Sequence, residues 1–278
     1  MDLYEHYLCL WEQGLVGKGF SRRLPDYATR SWFGYLQKAL PCGSGAFLDV
    51  GAGDGRLSLV LLTAGYKKGV ALEVCVDRSS WDYICTHYKN FHLHEATLQD
   101  AMNYLDQKFD FVVIAEVFEH IPSTDVEPFL HKLSQVVAPG GTVFLTTPNF
   151  YVQGPAQQSP LWYERCSYGH YKHYTAAELT QLLTTAGFCV QRCDFECHCL
   201  KKVLYDKCFY HVSRWDERLS SSKRLPAYAK KAYRVISWPA IMIIRLYFRA
   251  LARVVFFIES YRSSEQSSAT IIMTARKM

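Results

Sequence analysis

Two carboxylates and an imidazole stand within five residues in Glu116-Val-Phe-Glu119-His120. At the mouth of a site, that set can hold Mg²⁺ or a similar ion, with a later histidine completing the shell. Such an ion lowers the pKa of an attacking hydroxyl. The same residues also suit a metal-free site. There His120 is a general base, because an unperturbed imidazole titrates near neutrality. Glu116 then contacts a cofactor, and Glu119 caps or lines a loop. The later histidines lie in Gly169-His170-Tyr-Lys-His173-Tyr174-Thr175-x-x-Glu178.

A second chemical signal is the glycine turn Asp49-Val-Gly51-Ala-Gly53-Asp-Gly55. A dinucleotide fingerprint has a third glycine where Arg56 stands here. Asp49, two residues before the first glycine, repels phosphate and suits a cationic ligand. The strand after this unit is expected to end in an acid that accepts two ribose hydroxyls. Asp77 and Glu73 both qualify. Asp77 is preferred, because Val70–Val76 reads as one continuous strand.

These residues need a frame. An apolar run from Ala46 enters the glycine turn, and a helix follows to a stop at Gly65. Strands are expected at 70–77, 91–95, 109–116, 142–147 and 188–193, with helices at 81–89, 126–137 and 175–186. Pro139-Gly140-Gly141 ends the second of these helices. The alternation predicts a doubly wound, mostly parallel sheet of Rossmann-like type. The β-branched run at 268–275 reads as a last strand. Residues 1–45 form a helical cap, 46–194 plus 266–278 the ligand-binding domain, and 195–265 a basic, aromatic helical insertion before the last strand.

The motif Asp49-x-Gly51-x-Gly53-x-Gly55 resembles the S-adenosylmethionine loop of class I methyltransferases. Glu116-x-x-Glu119-His120, the Pro148-Asn149 turn and the later histidine resemble two groups within them. One is the ubiquinone-biosynthesis O-methyltransferases and their bacterial relatives; the other is the small-RNA 3′-terminal 2′-O-methyltransferases. The resemblance covers residues 46–194 and omits 195–265. It implies a seven-stranded sheet whose last strand is antiparallel, and a cofactor held by Asp49, Gly51, Gly53, Gly55, Asp77 and Glu116. Near the adenine the family usually has an acid; Thr97 stands there, which implies recognition by a backbone amide and the Thr97 hydroxyl. The RNA group implies a metal on Glu116, Glu119, His120 and His170, the last because it lies five residues before Thr175. Without a metal, His120 or His170 is the catalytic base. The expected function is O-methylation of a small-molecule, lipid-linked or sugar-containing acceptor. A metal-assisted methylation of an RNA 3′-terminal ribose is the alternative, though no RNA-binding module is evident. A non-catalytic, membrane-associated scaffold is the reading from another class.

Composition bounds the rest. The chain has 278 residues, 49% hydrophobic and 21% charged, which excludes extensive disorder. Its ten cysteines, with early acids and no apolar run in Met1–Tyr7, fit a reduced, cytoplasmic protein. Cys193, Cys197, Cys199, Cys208, His198 and His211 match no zinc spacing. The net charge of +5 is uneven: Lys201–Arg262 holds 14 Lys/Arg against 4 Asp/Glu, net +10, leaving −5 elsewhere. Within it, Val235–Ile258 is interrupted by Arg245, Arg249 and Arg253, so it is too broken for the ~20 apolar residues of a spanning helix. The three arginines form one helical stripe beside an apolar face, and Lys223, Arg224, Lys230, Lys231 and Arg234 precede them. Residues 223–262 are therefore expected either to lie peripherally on an anionic membrane surface or to cover the domain core or a dimer partner.

Overall fold

The computed structural model describes residues 27–40, 45–76, 78–101, 105, 107–152, 169–196, 265 and 270–278, together with Leu3 and Cys9. Helix α1 is Tyr27–Ala39 and strand β1 Ala46–Val50, followed by α2, Arg56–Thr63, and β2, Lys68–Leu72. Next come α3, Arg78–His87, β3, Phe91–His94, the short α4, Leu98–Ala101, and β4, Phe109–Ala115. A 3-10 turn at Phe118–His120 leads to α5, Val126–Val136, and β5, Val137–Pro148. The chain continues through α6, Ala176–Thr185, β6, Phe188–Glu196, and β7, Thr270–Lys277.

The seven strands form one sheet in the order β3-β2-β1-β4-β5-β7-β6. Strands β1 to β5 pair in parallel, whereas β7 runs antiparallel to both β5 and β6. This is the doubly wound architecture expected from the alternation, including its antiparallel last strand.

Alternation within each strand feeds two apolar layers, because successive side chains point to opposite faces. On one face Leu48, Val70, Val112, Ile114 and Val143 pack with Phe129 and Leu133 of α5 and Leu179 of α6. On the other, Phe47, Ala71, Phe111, Val113 and Phe144 meet Phe33 and Leu36 of α1, Leu59 of α2 and Trp81 of α3. Burial of both faces explains why β4 reads as a nearly continuous apolar run. Tyr66 places its ring edge-on to Phe47, yet its buried hydroxyl has no hydrogen-bond partner among the described residues. An unpaired buried hydroxyl costs on the order of 1 kcal/mol or more. Tyr66→Phe is therefore expected to raise the melting temperature by about 2–4 °C in a thermal melt.

Two element ends differ from the sequence reading. Strand β2 stops at Leu72 rather than continuing to 77. The Glu73 backbone still donates to the His94 carbonyl and accepts the Ala96 N–H, and the chain leaves the sheet after it: Val74 is 64% exposed, and the Glu73 carboxylate accepts the Cys75 N–H at 3.1 Å. Strand β5 begins at Val137, ahead of Pro139-Gly140-Gly141. Phe109 pairs with Val137 and Phe111 with Thr142, so that tripeptide is accommodated as a bulge rather than a gap.

The C-terminal ends of β1 and β4 lie side by side where the strand order reverses. A crevice opens at such a switch point, and this is where open α/β sheets bind ligands.

Candidate functional site

The glycine turn opens this crevice. Gly51, Gly53 and Gly55 all have positive φ, at 67°, 59° and 79°. A Cβ on Gly51 would lie 2.3 Å from Val117 Cγ2, so only glycine fits between β1 and the end of β4. No atom of the described residues lies within 4 Å of a Cβ placed on Gly53. Gly55 serves packing: a Cβ there would meet Trp81 at 2.8 Å and Ile84 at 2.9 Å. Asp49 sits beneath the turn, 1% exposed, and accepts a 2.7 Å hydrogen bond from Ser58 Oγ. Burial pushes its pKa up to about 7, and Glu73 and Asp54 add repulsion.

A cavity of about 690 Å³ extends from Gly51 past Glu73, Thr97, Glu116 and Val117 to His120. That volume lies within the usual ~300–1,000 Å³ of small-ligand sites. Glu73, one residue past β2, accepts the Gly53 N–H at 2.7 Å. Asp77, the acid preferred from the sequence, lies outside the described residues; the continuous strand on which that preference rested ends five residues before it. The Thr97 hydroxyl donates to Asp100 at 2.6 Å and accepts the Asp100 N–H, so it caps α4 while lining the cavity.

Acidic and imidazole groups gather around Glu116 and His120, which also line this cavity. Glu116 takes the left-handed conformation, φ 54°, which is uncommon for a non-glycine residue and characteristic of functional sites. Its carboxylate accepts from Thr146 Oγ1 at 3.0 Å. Glu119, 1% exposed, accepts from Thr147 Oγ1 at 3.0 Å. The end of β5 thus holds both acids. The Tyr171 N–H donates to the Glu119 carbonyl at 2.8 Å and brings the histidine loop alongside. His120 Nδ1 lies 3.2 Å from the Gly169 carbonyl. A carbonyl only accepts, so a neutral His120 in this contact carries its proton on Nδ1 and its lone pair on Nε2. Glu119, His120 and His170 offer donor atoms within 4.8 Å of one another.

The sequence model of the methyltransferase domain family matches residues 25–192. The chain belongs to that family. A probable S-adenosylmethionine-dependent methyltransferase of Mycolicibacterium smegmatis is 28% identical over 176 residues, which are 61% of this chain and 64% of that protein. The mitochondrial ubiquinone biosynthesis O-methyltransferase of Dictyostelium discoideum is 32% identical over 113 residues, 37% of this chain and 35% of that one. The chain therefore spans less than two thirds of either relative. Phosphoethanolamine N-methyltransferase 2 of Haemonchus contortus, solved with S-adenosyl-L-methionine, matches with a TM-score of 0.59 at 14% identity. The match covers 100% of this chain and 57% of that one, and at such identity it is a likeness of fold.

The cofactor of this methyltransferase domain, S-adenosylmethionine, fits the residues present. Gly51 leaves space that a Cβ would fill, Glu73 offers a carboxylate at the end of β2, and buried Asp49 supplies negative charge behind the turn. A metal fits less simply. Two imidazoles and one carboxylate suit a softer divalent ion than Mg²⁺, which prefers oxygen ligands. Glu116, expected in that set, instead lines the cavity and pairs with Thr146.

Thr146, Thr147 and His173 were not among the residues singled out by sequence. His173 carries the available signal, as a second histidine three residues after His170. Among the described residues, no helix is long and apolar enough to cross a membrane. The basic segment 223–262 and Cys197, His198, Cys199, Cys208 and His211 lie outside the described residues.

The buried groups give the unliganded domain an unusual pH response. Burial and the Glu116 charge raise the pKa of Glu119, and burial raises that of Asp49. An acid raised on folding loses stability as pH climbs from its unfolded value to its folded one. Burial and neighbouring imidazoles lower His170, and His173 to about 4, so these gain stability as pH rises towards 6.5. The two effects oppose each other below pH 6.5; above it only the acids act. Stability is therefore expected to fall from pH 6.5 to 8 by on the order of 2 kcal/mol, or ~5 °C in melting temperature. Glu119→Gln should remove much of that fall in melts across this range.

Proposed function

We propose that the chain transfers a methyl group from S-adenosylmethionine to an oxygen atom of a small-molecule, lipid-linked or sugar-containing acceptor. The observation that carries this reading is the shared cavity: Gly51, Glu73, Glu116 and His120 all line it. Bound cofactor supplies a methyl group on a cationic sulfonium, which leaves as a neutral thioether. The chain has to bind, align and take one proton. Glu73 holds the ribose hydroxyls in this reading. Val117 and the glycine turn fix the approach. As the acceptor oxygen bonds to the methyl carbon, its proton passes to Nε2 of His120, the nitrogen that the Gly169 carbonyl leaves unprotonated. His170 stands beside it, with ring centroids 4.7 Å apart, as the second acceptor.

A second reading is favoured by the clustering of donor atoms: Glu119, His120 and His170 hold a divalent ion that lowers the acceptor hydroxyl's pKa. A chelator separates the two, since it leaves a metal-free base untouched. Residues 223–262 remain the proposed contact with an anionic membrane, on sequence grounds. Flotation with anionic vesicles at low salt should retain the chain, and exchange of Lys223, Arg224, Lys230, Lys231 and Arg234 for Gln should release it.

The test of the activity is methyl-labelled S-adenosylmethionine incubated with the chain and cell extract, then partitioned into lipid, small-molecule and RNA fractions. Label in lipid or small molecules, stable to hydrolysis as an ether, supports the proposal. Label in RNA 3′ ends favours the cation-assisted ribose reading. No label in any fraction, with cofactor bound, leaves the non-catalytic scaffold.

A further inference from the structure

Asp49 and Ser58 form a buried pair behind the glycine turn, 1% and 0% exposed. Ser58 lies in the first turn of α2 and donates its hydroxyl to the Asp49 carboxylate at 2.7 Å. Asp49 does not itself line the cavity, but Val50 and Gly51, which follow it, do. Glu73, which also lines the cavity, repels the Asp49 carboxylate. Among the described residues, these two acids take hydrogen bonds from neutral donors alone. Asp49 accepts from the hydroxyl and N–H of Ser58, and Glu73 from the N–H groups of Gly53 and Cys75. The described lining of the cavity holds three carboxylates, Glu73, Glu116 and Asp125, and no Lys or Arg. A cationic ligand would supply the countercharge. Away from water a charge is felt across several ångströms, so Asp49 acts on such a ligand without touching it.

We propose that Asp49, held by Ser58, makes the crevice a charge-selective site that favours the sulfonium of S-adenosylmethionine over the neutral thioether of S-adenosylhomocysteine, with Ser58 as a positioning residue. The inference rests on reading this crevice as the cofactor site. The two ligands differ by one methyl group and one positive charge, so comparing them isolates the response to that charge. Methyl transfer removes the charge and leaves Asp49 and Glu73 repelling each other beside the product, which favours its release. The effect depends on an ionised Asp49. Burial raises its pKa to about 7, the Ser58 bonds oppose that rise, and Glu73 and then Asp54 add repulsion. Asp54 is itself paired with Arg56 at 2.7 Å, and the strands on either side place uncharged Ala71 and Val113 opposite Asp49. A nearby cation favours the ionised form. Binding of the sulfonium therefore draws a proton off Asp49, and affinity for it rises with pH until Asp49 is already ionised in the free chain.

Titration calorimetry of the full chain with each ligand, in buffers of different ionisation enthalpy, counts the protons released on binding. At pH 7, S-adenosylmethionine is expected to release about 0.4 proton more than S-adenosylhomocysteine, and its advantage in Kd should widen about fivefold from pH 6 to pH 8. Ser58→Ala removes a hydroxyl bond from the ionised form and should move that widening up by about one pH unit. Asp49→Asn cannot ionise and should abolish both the extra proton release and the widening. Equal proton release with a constant Kd ratio in the unaltered chain overturns the proposal, whether or not Ser58→Ala folds, and leaves the methyl-transfer reading standing. So does a difference that persists in Asp49→Asn, which would place the titrating group elsewhere. A pH profile unmoved in Ser58→Ala removes the positioning role of Ser58. Binding of neither ligand overturns the proposal and the cofactor assignment together.

Discussion

Replacement of His120 by Ala is expected to lower methyl transfer by about 10²- to 10⁴-fold, the usual worth of a positioned general base. Affinity for S-adenosylmethionine should stay within about threefold. His120 lines the same cavity as the glycine turn, and in the neutral ring its Nε2 is the lone pair left by the Gly169 contact. Its side chain is 42% exposed, so an acceptor can reach it without displacing the core. The measurement is initial-rate formation of S-adenosylhomocysteine with the labelled acceptor fraction. A His120→Ala chain that turns over normally would move the base to His170. If the wild-type rate collapses with chelator and is restored by a divalent ion softer than Mg²⁺, His120 acts as a ligand instead.

Replacement of Glu73 by Ala is the second large effect, a loss of about 10- to 100-fold in cofactor affinity. Two charge-assisted hydrogen bonds to ribose hydroxyls, at roughly 1.5–3 kcal/mol for such bonds, lie behind that range. The carboxylate already accepts the N–H groups of Gly53 and Cys75, which aim it at the turn before any ligand arrives. Glu73→Gln should recover part of the loss. The parallel Asp77→Ala titration decides between the two acids that the sequence offers: a larger loss at Asp77 would return the ribose contact to it.

The glycine turn was legible in the sequence because left-handed backbone at Gly51, Gly53 and Gly55 excludes other residues, so the fold writes itself into residue identity. What else the glycines make room for was not legible: Val117 beside Gly51, and Trp81 and Ile84 across the next unit beside Gly55. The parallel strands announced themselves through apolar runs buried on both faces. The end of β2 did not. Its alternation continues to Val76, but the Glu73 carboxylate bonds the N–H groups of Gly53 and Cys75, a local alternative to the sheet that the alternation does not reveal. Glu116, Glu119, His120 and His170 stood out because their residue types carry chemistry. Thr146 and Thr147 did not, because their service to Glu116 and Glu119 depends on β4 lying beside β5, across 30 and 28 residues of chain. His173 was visible among the later histidines, but its contact with His170 is seen only in the fold.

The central claim is that the crevice at the ends of β1 and β4 is an S-adenosylmethionine site, and titration calorimetry of the full chain with S-adenosylmethionine tests it most directly. The expected result is one binding event per chain that Gly51→Val abolishes, since a larger side chain there collides with Val117. Absence of binding by S-adenosylmethionine, and above all tight binding of NAD in its place, would contradict the account.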